Sequence, residues 1–242
     1  MDDTTTPDGA GPVTVTVTDG VAVIDLDDGK ANALGFDVLA GRESALVRAE
    51  ADDVSAAAIV GREGKFSAGF DLKVMTSGPE GARDMLGRGA LLGLRMYMFP
   101  KPVVLAVTGH ALAMGAILLC CADVRVGADG PFKIGLNEVA IGMPVPGFAV
   151  GVCQDRLAIP AFTAAIQLAR IHSPAEALAA GFLDEVVDVA AVRDRAVEVA
   201  AELGTRLHRG PFRVTRETVR GPVAERLRSE LTADLSVFDV SS

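Results

Sequence analysis

Val13, Val15 and Val17 alternate with threonines, and beyond Asp19-Gly20 a second apolar run extends from Val21 to Leu26. Period-two alternation before an Asp-Gly turn and an apolar strand-like run after it predict a β-hairpin. From Phe36 to Ala51 the period changes: Phe36, Leu39, Ala40, Leu46 and Val47 recur at helical spacing with charges between them, predicting an amphipathic helix. Ala56–Val60 reads as a short apolar strand ending at Gly61, with a loop containing Gly64 and Gly69 after it. A helix is predicted from about Glu80 to Met98, where Pro100 and Pro102 stop it. Val103–Val107 then reads as a buried strand. Thr108-Gly109 turns the chain into an apolar helix from about Leu112 to Cys121, and Asp123–Val126 is another strand. Beyond Pro160 the pattern is almost wholly helical, rich in Ala and Leu, with breaks expected near Gly181, Gly210 and Gly221. Strands alternating with helices over short connections argue for an α/β core followed by a helical C-terminal region.

Composition narrows the function classes. The chain has 242 residues, half of them hydrophobic, enough to bury one substantial core. A formal net charge of −9 argues against a nucleic-acid partner but leaves room for an anionic small molecule held by a few local cations. The lysines are Lys30, Lys65, Lys73, Lys101 and Lys133, of which Lys101 and Lys133 read as solvated surface charges. Cys120, Cys121 and Cys153 lack metal-ligand spacing, and the first two lie in the apolar run Ala116–Ala122, where a free thiol behaves as a small hydrophobe. A reduced, cytoplasmic setting follows. Met1–Pro12 is polar and acidic, unlike a signal or transit peptide, and is expected to be disordered. No apolar run has the length of a membrane span, so a soluble protein is expected.

Three stretches carry candidate chemistry. Lys30-Ala31-Asn32-Ala33-Leu34 follows the hairpin, Phe66-Ser67-Ala68-Gly69-Phe70-Asp71-Leu72 follows the strand at 56–60, and Ala106-Val107-Thr108-Gly109-His110-Ala111-Leu112-Ala113-Met114-Gly115-Ala116 reads as strand, turn and helix start. Small residues in the second let backbone N–H groups approach a ligand closely. A helix start such as the third presents unpaired N–H groups and a dipole that favours developing negative charge. Two such donors converging on one oxygen form an oxyanion hole.

In this order, and with Gly135-Leu136-Asn137-Glu138 downstream, the set resembles the crotonase (enoyl-CoA hydratase/isomerase) superfamily from about Val13 to Val187. The resemblance implies an α/β fold, a crotonase-like spiral of stacked ββα units spanning 13–187. It also implies a helical region at 188–242 through which such proteins assemble as homotrimers or pairs of trimers. The substrate it implies is a coenzyme A thioester, with no covalent cofactor. The implied oxyanion donors are the N–H groups of Ala68 and Met114, the latter standing where the family usually has glycine, so that its side chain could reshape the pocket. CoA recognition falls on Lys30, Ala31 and Ala33 and on Ala68, Gly69, Phe70 and Asp71, with Lys73 a phosphate partner or a solvated lysine.

Carboxylates decide the reaction. Hydratases of this family divide acid and base work between two glutamates. One of those positions is Ile117 here, and the other matches Glu138. A single carboxylate beside an oxyanion hole suits moving a proton within a 3-enoyl thioester rather than adding water. Two alternatives stand beside that isomerase-like reading: a hydratase that recruits another acid or a held water, and a non-catalytic acyl-CoA carrier. Asp71 reads as stabilising its loop and His110 as packing, while His172 and His208 lack a matched partner. Asp84 and Asp155 are left as groups that could reach the site from other segments. No nucleophile elbow, dinucleotide fingerprint or metal-spaced His/Cys cluster occurs.

Overall fold

The computed structural model describes residues 11–236. The expected disorder of residues 1–12 therefore falls mostly outside the described residues, although Pro12 already accepts a backbone hydrogen bond from Asp27 at 2.9 Å. The hairpin forms as expected from β1 (Val13–Thr18) and β2 (Val21–Leu26), with Val15 opposite Ile24. Helix α1 (Phe36–Ala49) follows, then β3 (Ala56–Gly61), β4 (Gly64–Ser67), α2 (Leu72–Met75) and α3 (Pro79–Tyr97). Next come β5 (Val103–Val107), β6 (Gly109–Leu112), α4 (Met114–Cys120), β7 (Val124–Ala128) and β8 (Ile134–Gly135). A 3-10 turn at Val139–Ile141 leads to α5 (Gly147–Arg156), α6 (Ile159–Ile166), α7 (Pro174–Ala180), β9 (Glu185–Val187), α8 (Val192–Arg206) and α9 (Arg209–Ser236).

The strands sort into two sheets in a way that generates a spiral. One sheet has six strands in the order β1-β2-β3-β5-β7-β9, and the other three in the order β4-β6-β8. Each turn of the chain places its first strand (β3, β5, β7) in the large sheet and its second (β4, β6, β8) in the small one. Every neighbouring pair within these two series is parallel. This is the stacked ββα architecture the resemblance implied, with the helical region following it. The main core lies between the large sheet and α1, α3, α4 and α5, and α8 covers the sheet's other face through Val192, Ala196, Val199 and Ala200.

Four expectations need correction. Strands β4 and β6 lie in stretches read as loop and helix approach, and β8 in one to which no element was assigned. Each is only two to four residues long, too short for alternation to show, and becomes a strand by pairing with its neighbours. Helix α4 starts at Met114 rather than Leu112, because Leu112 is held in register with Gly135 and Ala113 turns the chain at φ 52°, ψ −126°. The break expected near Gly210 falls at 207–208, between α8 and α9, but none occurs at Gly221: α9 is continuous through it and through Pro222. Buried Ala224, Leu227 and Leu231, together with Arg216 and Arg220 bridged to Asp123, overrule the local preference of those residues. Lys101, expected on the surface, is 1% exposed, its Nζ donating to Ala49 O at 2.8 Å and Ala51 O at 2.6 Å. It caps the carbonyl end of α1, where a cation satisfies both hydrogen bonding and the helix dipole.

Candidate active site

The loop carrying Lys30, Ala31 and Ala33 is shaped by two side chains the sequence reading did not single out for a role. The Asp28 carboxylate accepts from the backbone N–H groups of Lys30 (2.7 Å), Asn32 (2.8 Å) and Ala33 (3.1 Å). Partial burial works against its ionisation, but the backbone donors Asn32, Lys30 and Ala33 outweigh it and hold this carboxyl below the usual range. Asn32 is fully buried at φ 51°, and its Nδ2 donates to Leu26 O at 2.8 Å and Lys65 O at 3.2 Å. A short polar side chain that bonds its own neighbourhood is what tolerates this left-handed conformation.

This loop is stitched to the one bearing Ala68. Ser67 Oγ donates to Asn32 O at 2.8 Å, Ala68 N–H to Ala31 O at 3.1 Å, Leu34 N–H to Gly69 O at 2.8 Å and Asp71 N–H to Leu34 O at 3.2 Å. Gly69, at φ 91°, sits so close to the next turn that a Cβ there would lie 2.9 Å from Ala113 Cβ and 3.3 Å from Met114 N. Only glycine meets both demands. Ala113 itself holds a positive φ that a residue with a Cβ adopts at a cost, and this strain aims the first turn of α4 at the Ala68 loop. Among the described residues no acceptor takes the Met114 N–H, as expected for the first turn of a helix.

The structure thus brings Ala31, Ala33, Ala68, Gly69 and Met114 together. Gly115 seals the junction: a Cβ there would stand 2.5 Å from Ser67 O and 2.9 Å from Ser67 Cβ. Because the obstacle is largely backbone, Gly115→Ala is expected to push the two loops apart, costing about 1–3 kcal/mol of stability. Chemical denaturation would read this as a lower midpoint, with any thioester activity falling alongside.

Met114 points its side chain at α3, where its Cε would lie at ordinary contact distance from a Cβ on Gly89 (3.6 Å) or Gly93 (3.7 Å). The Phe70 ring lies closer, within 2.3 Å of where a Gly89 Cβ would be. Asp71 caps α2, accepting from Lys73 N–H at 2.9 Å, in line with a loop-stabilising role. Lys30 and Lys73 are both solvent-exposed, Lys73 on the short helix and Lys30 at the loop tip.

Glu138 arrives through the small sheet. Leu112 pairs with Gly135, and Ala113 N–H donates to Gly135 O at 3.0 Å, so Glu138 follows three residues after the strand that abuts the α4 turn. Its residue is only 7% exposed, and among the described residues its Oε2 has no hydrogen-bond partner. Burial raises its carboxyl pKa above the ordinary carboxylate value, more than the nearby backbone N–H groups of Glu138 and Asn137 lower it. Ile117, one turn into α4, is 2% exposed and offers no proton-transfer group.

Other candidates are occupied elsewhere. Asp155 accepts from Tyr97 OH at 2.6 Å and Asp84 pairs with Arg88 at 3.0 Å. His110 Nδ1 accepts from Lys133 N–H at 3.0 Å and its ring meets the edge of Phe132. His172 is buried, pairs through its backbone with Ile134 and packs on Phe182. Cys120, Cys121 and Cys153 are buried free thiols, and no group of His, Cys, Asp and Glu among the described residues could hold a metal ion. No helix among the described residues is long and apolar enough to cross a membrane.

Parallel strand pairs feeding two sheets, closed by a helical region, are the features of a crotonase-fold protein. The family model for enoyl-CoA hydratase/isomerase matches residues 16–241, and the chain belongs to that family. It is 32% identical over 224 residues to enoyl-CoA delta isomerase 1, mitochondrial, of Mus musculus, covering 90% of this chain and 77% of that protein. An enoyl-CoA hydratase/isomerase family protein from Pseudomonas syringae superposes with a TM-score of 0.91 at 38% identity, covering 94% of this chain and 98% of the other. Human mitochondrial delta3-delta2-enoyl-CoA isomerase gives 0.88 at 28% identity, with 93% and 89% covered.

Proposed function

We propose that this chain is a Δ3,Δ2-enoyl-CoA isomerase of fatty-acid metabolism in which Glu138 alone moves the proton. The observation that carries this reading is the pairing of a buried carboxylate, Glu138, whose Oε2 has no hydrogen-bond partner among the described residues, with an isoleucine, Ile117, at the other family carboxylate position. CoA lies along Lys30, Ala31, Ala33 and the Ala68–Asp71 loop, with Lys73 near a phosphate. The thioester oxygen accepts from the N–H groups of Ala68 and Met114.

Glu138, ionised, removes a proton from C2 of a 3-enoyl thioester, and the electron pair delocalises into a dienolate whose oxygen the two N–H donors hold. The neutral Glu138 acid then returns the proton to C4, leaving the double bond at C2. No water is consumed and the carboxylate is regenerated. A carboxyl whose pKa burial has raised is better matched to both halves of this transfer than an exposed one. Met114 N–H, without an acceptor among the described residues, acts without reorganisation, whereas Ala68 N–H also donates to Ala31 O at 3.1 Å; a donor of this kind is typically worth about 10²–10³ in rate.

A hydratase would need a second acid, and the involvement of Asp84 and Asp155 in other contacts weighs against either serving. The same reading has the protein act in the cytoplasm as a homotrimer or pair of trimers through its helical region, where Val214 and Val219 of α9 are exposed. Supplying 3-enoyl-CoA and 2-enoyl-CoA separately to the purified protein tests the function. Conversion of the first without hydration of the second is the expected result. Hydration faster than about one turnover per second would favour a hydratase instead. Tight acyl-CoA binding with no turnover of either would favour a carrier.

A further inference from the structure

Two thiols that the proposed reaction does not use meet where α4 packs on α5. Cys120 ends α4, Cys153 lies within α5, and both are buried. Cys153 Sγ donates to Cys120 Sγ at 3.6 Å, so the two sulfurs are in direct contact. Cys121, the very next residue, points elsewhere. Its Sγ donates to Ile117 O at 3.5 Å and lies 3.4 Å from where a Cβ on Gly93 would stand, which turns it toward α3. We propose that Cys120 and Cys153 are an oxidative modification site, closing to a disulfide under peroxide and thereby lowering the activity.

The chemistry balances with hydrogen peroxide as the oxidant. One thiol gives up its proton and attacks peroxide; an S–O bond forms, the O–O bond breaks and water leaves, giving a sulfenic acid. The second sulfur then displaces the sulfenic oxygen as another water, and the S–S bond forms. Two thiols and one peroxide become one disulfide and two waters. Peroxide is small enough to reach a buried pair through local opening of the fold. The hydrogen bond to Cys120 and burial push the Cys153 thiol well up, so the pair stays reduced under mild conditions and responds to sustained oxidant.

Closing the bond has a consequence for the site. A disulfide holds its sulfurs about 2.05 Å apart, so this pair must approach by about 1.5 Å. In a close-packed core that movement is shared with the helices carrying the sulfurs. Helix α4 opens at Met114, and α5 follows the turn that begins at Glu138. Glu138 is also near enough to act electrostatically on Cys153. Drawing the two helices together shifts the oxyanion donor relative to the proton carrier, and a misplacement of about 1 Å can cost about 10²-fold in rate. The cross-link is therefore expected to lower isomerisation by about ten- to a hundredfold. That loss rests on the proposed roles of Glu138 and Met114, whereas formation of the bond does not.

The test incubates the full-length protein with hydrogen peroxide, alkylates the remaining thiols under denaturing conditions and maps the peptides by tandem mass spectrometry, with and without dithiothreitol. A peptide linking Cys120 to Cys153 is expected, with Cys121 alkylated. Activity on 3-enoyl-CoA should fall as that peptide appears and return with dithiothreitol. Cys153→Ala should keep its activity through the same treatment, and Cys120→Ala provides the same control if the first variant folds poorly. Peroxide-treated protein whose cysteines all remain alkylatable, or a bond that uses Cys121, would overturn the site. A Cys120–Cys153 bond with activity unchanged, or activity lost without that bond, would overturn the switch. If the untreated protein does not isomerise 3-enoyl-CoA, the proposed reaction fails while the peptide map still decides whether the bond forms.

Discussion

Replacing Glu138 by glutamine is expected to lower 3-enoyl-CoA isomerisation by about 10²–10⁴-fold, the range typical of losing a positioned acid/base, while the protein stays folded. Glutamine preserves size and can occupy the same buried position, but it neither takes nor returns a proton. With Ile117 in the other carboxylate position and Asp84 and Asp155 engaged by Arg88 and Tyr97, nothing else on these segments substitutes. The activity of the unaltered protein should rise with pH through the ionisation of Glu138, at a pH above that of an ordinary carboxylate, because burial raises this pKa. The same shift predicts a stability signature of definite sign. A carboxyl whose folded pKa is raised binds protons more tightly folded than unfolded. Its contribution is present at low pH and is lost as pH climbs through the folded value. Relative to Glu138→Gln, the parent protein should therefore lose thermal stability between the usual carboxylate range and neutrality, which a series of melting curves would read.

The second large effect is a gain. Arg42 faces the core from α1 at 2% exposure, and all three of its guanidinium nitrogens lack hydrogen-bond partners among the described residues. Its nearest recorded compensation is the Phe66 ring, 5.9 Å from the guanidinium carbon. Burial alone lowers its pKa to about 10. An unpaired charge in that position costs the fold, and an unbranched apolar side chain of similar length fills the same volume without the penalty. Arg42→Met is expected to stabilise the protein by about 1–4 kcal/mol, and a chain of this size gains about 2–4 °C in Tm per kcal/mol. Arg216→Met is the control. That arginine is buried too, but it donates to Asp123 at 2.5 Å and to Phe99 O at 2.5 Å, so removing it strands partners and should cost about 3–5 kcal/mol. A destabilised Arg42→Met would mean that the guanidinium has a partner the core contacts do not reveal.

The contrast between these two arginines shows where the sequence is readable and where it is not. Hydrophobic periodicity located β1, β2, α1, β3, α3 and β5 within a few residues, because each has enough residues to display its period. It missed β4, β6 and β8, whose identity as strands comes from neighbours brought alongside by the spiral. Lys101 and Arg42 are charged residues whose burial no local pattern announces. The first is reconciled to the core by the open carbonyls at the end of α1, which only the fold supplies. Of the candidate site, the Ala68 and Met114 segments were legible as small-residue turns at element ends, and Glu138 as an acid among apolar neighbours. Asp28 was not, although Asp27-Asp28-Gly29 just after a strand is turn chemistry; its three backbone bonds depend on how the chain curls back over it. Nor could a sequence show that the Phe70 ring occupies the space a side chain at Gly89 would need.

The central claim is that one carboxylate shuttles a proton and water never enters the product. The direct measurement is mass analysis of the product formed from 3-enoyl-CoA in H₂¹⁸O. The account predicts 2-enoyl-CoA of unchanged mass, free of ¹⁸O in its acyl chain. Accumulation of an ¹⁸O-labelled 3-hydroxyacyl-CoA at a comparable rate would contradict it.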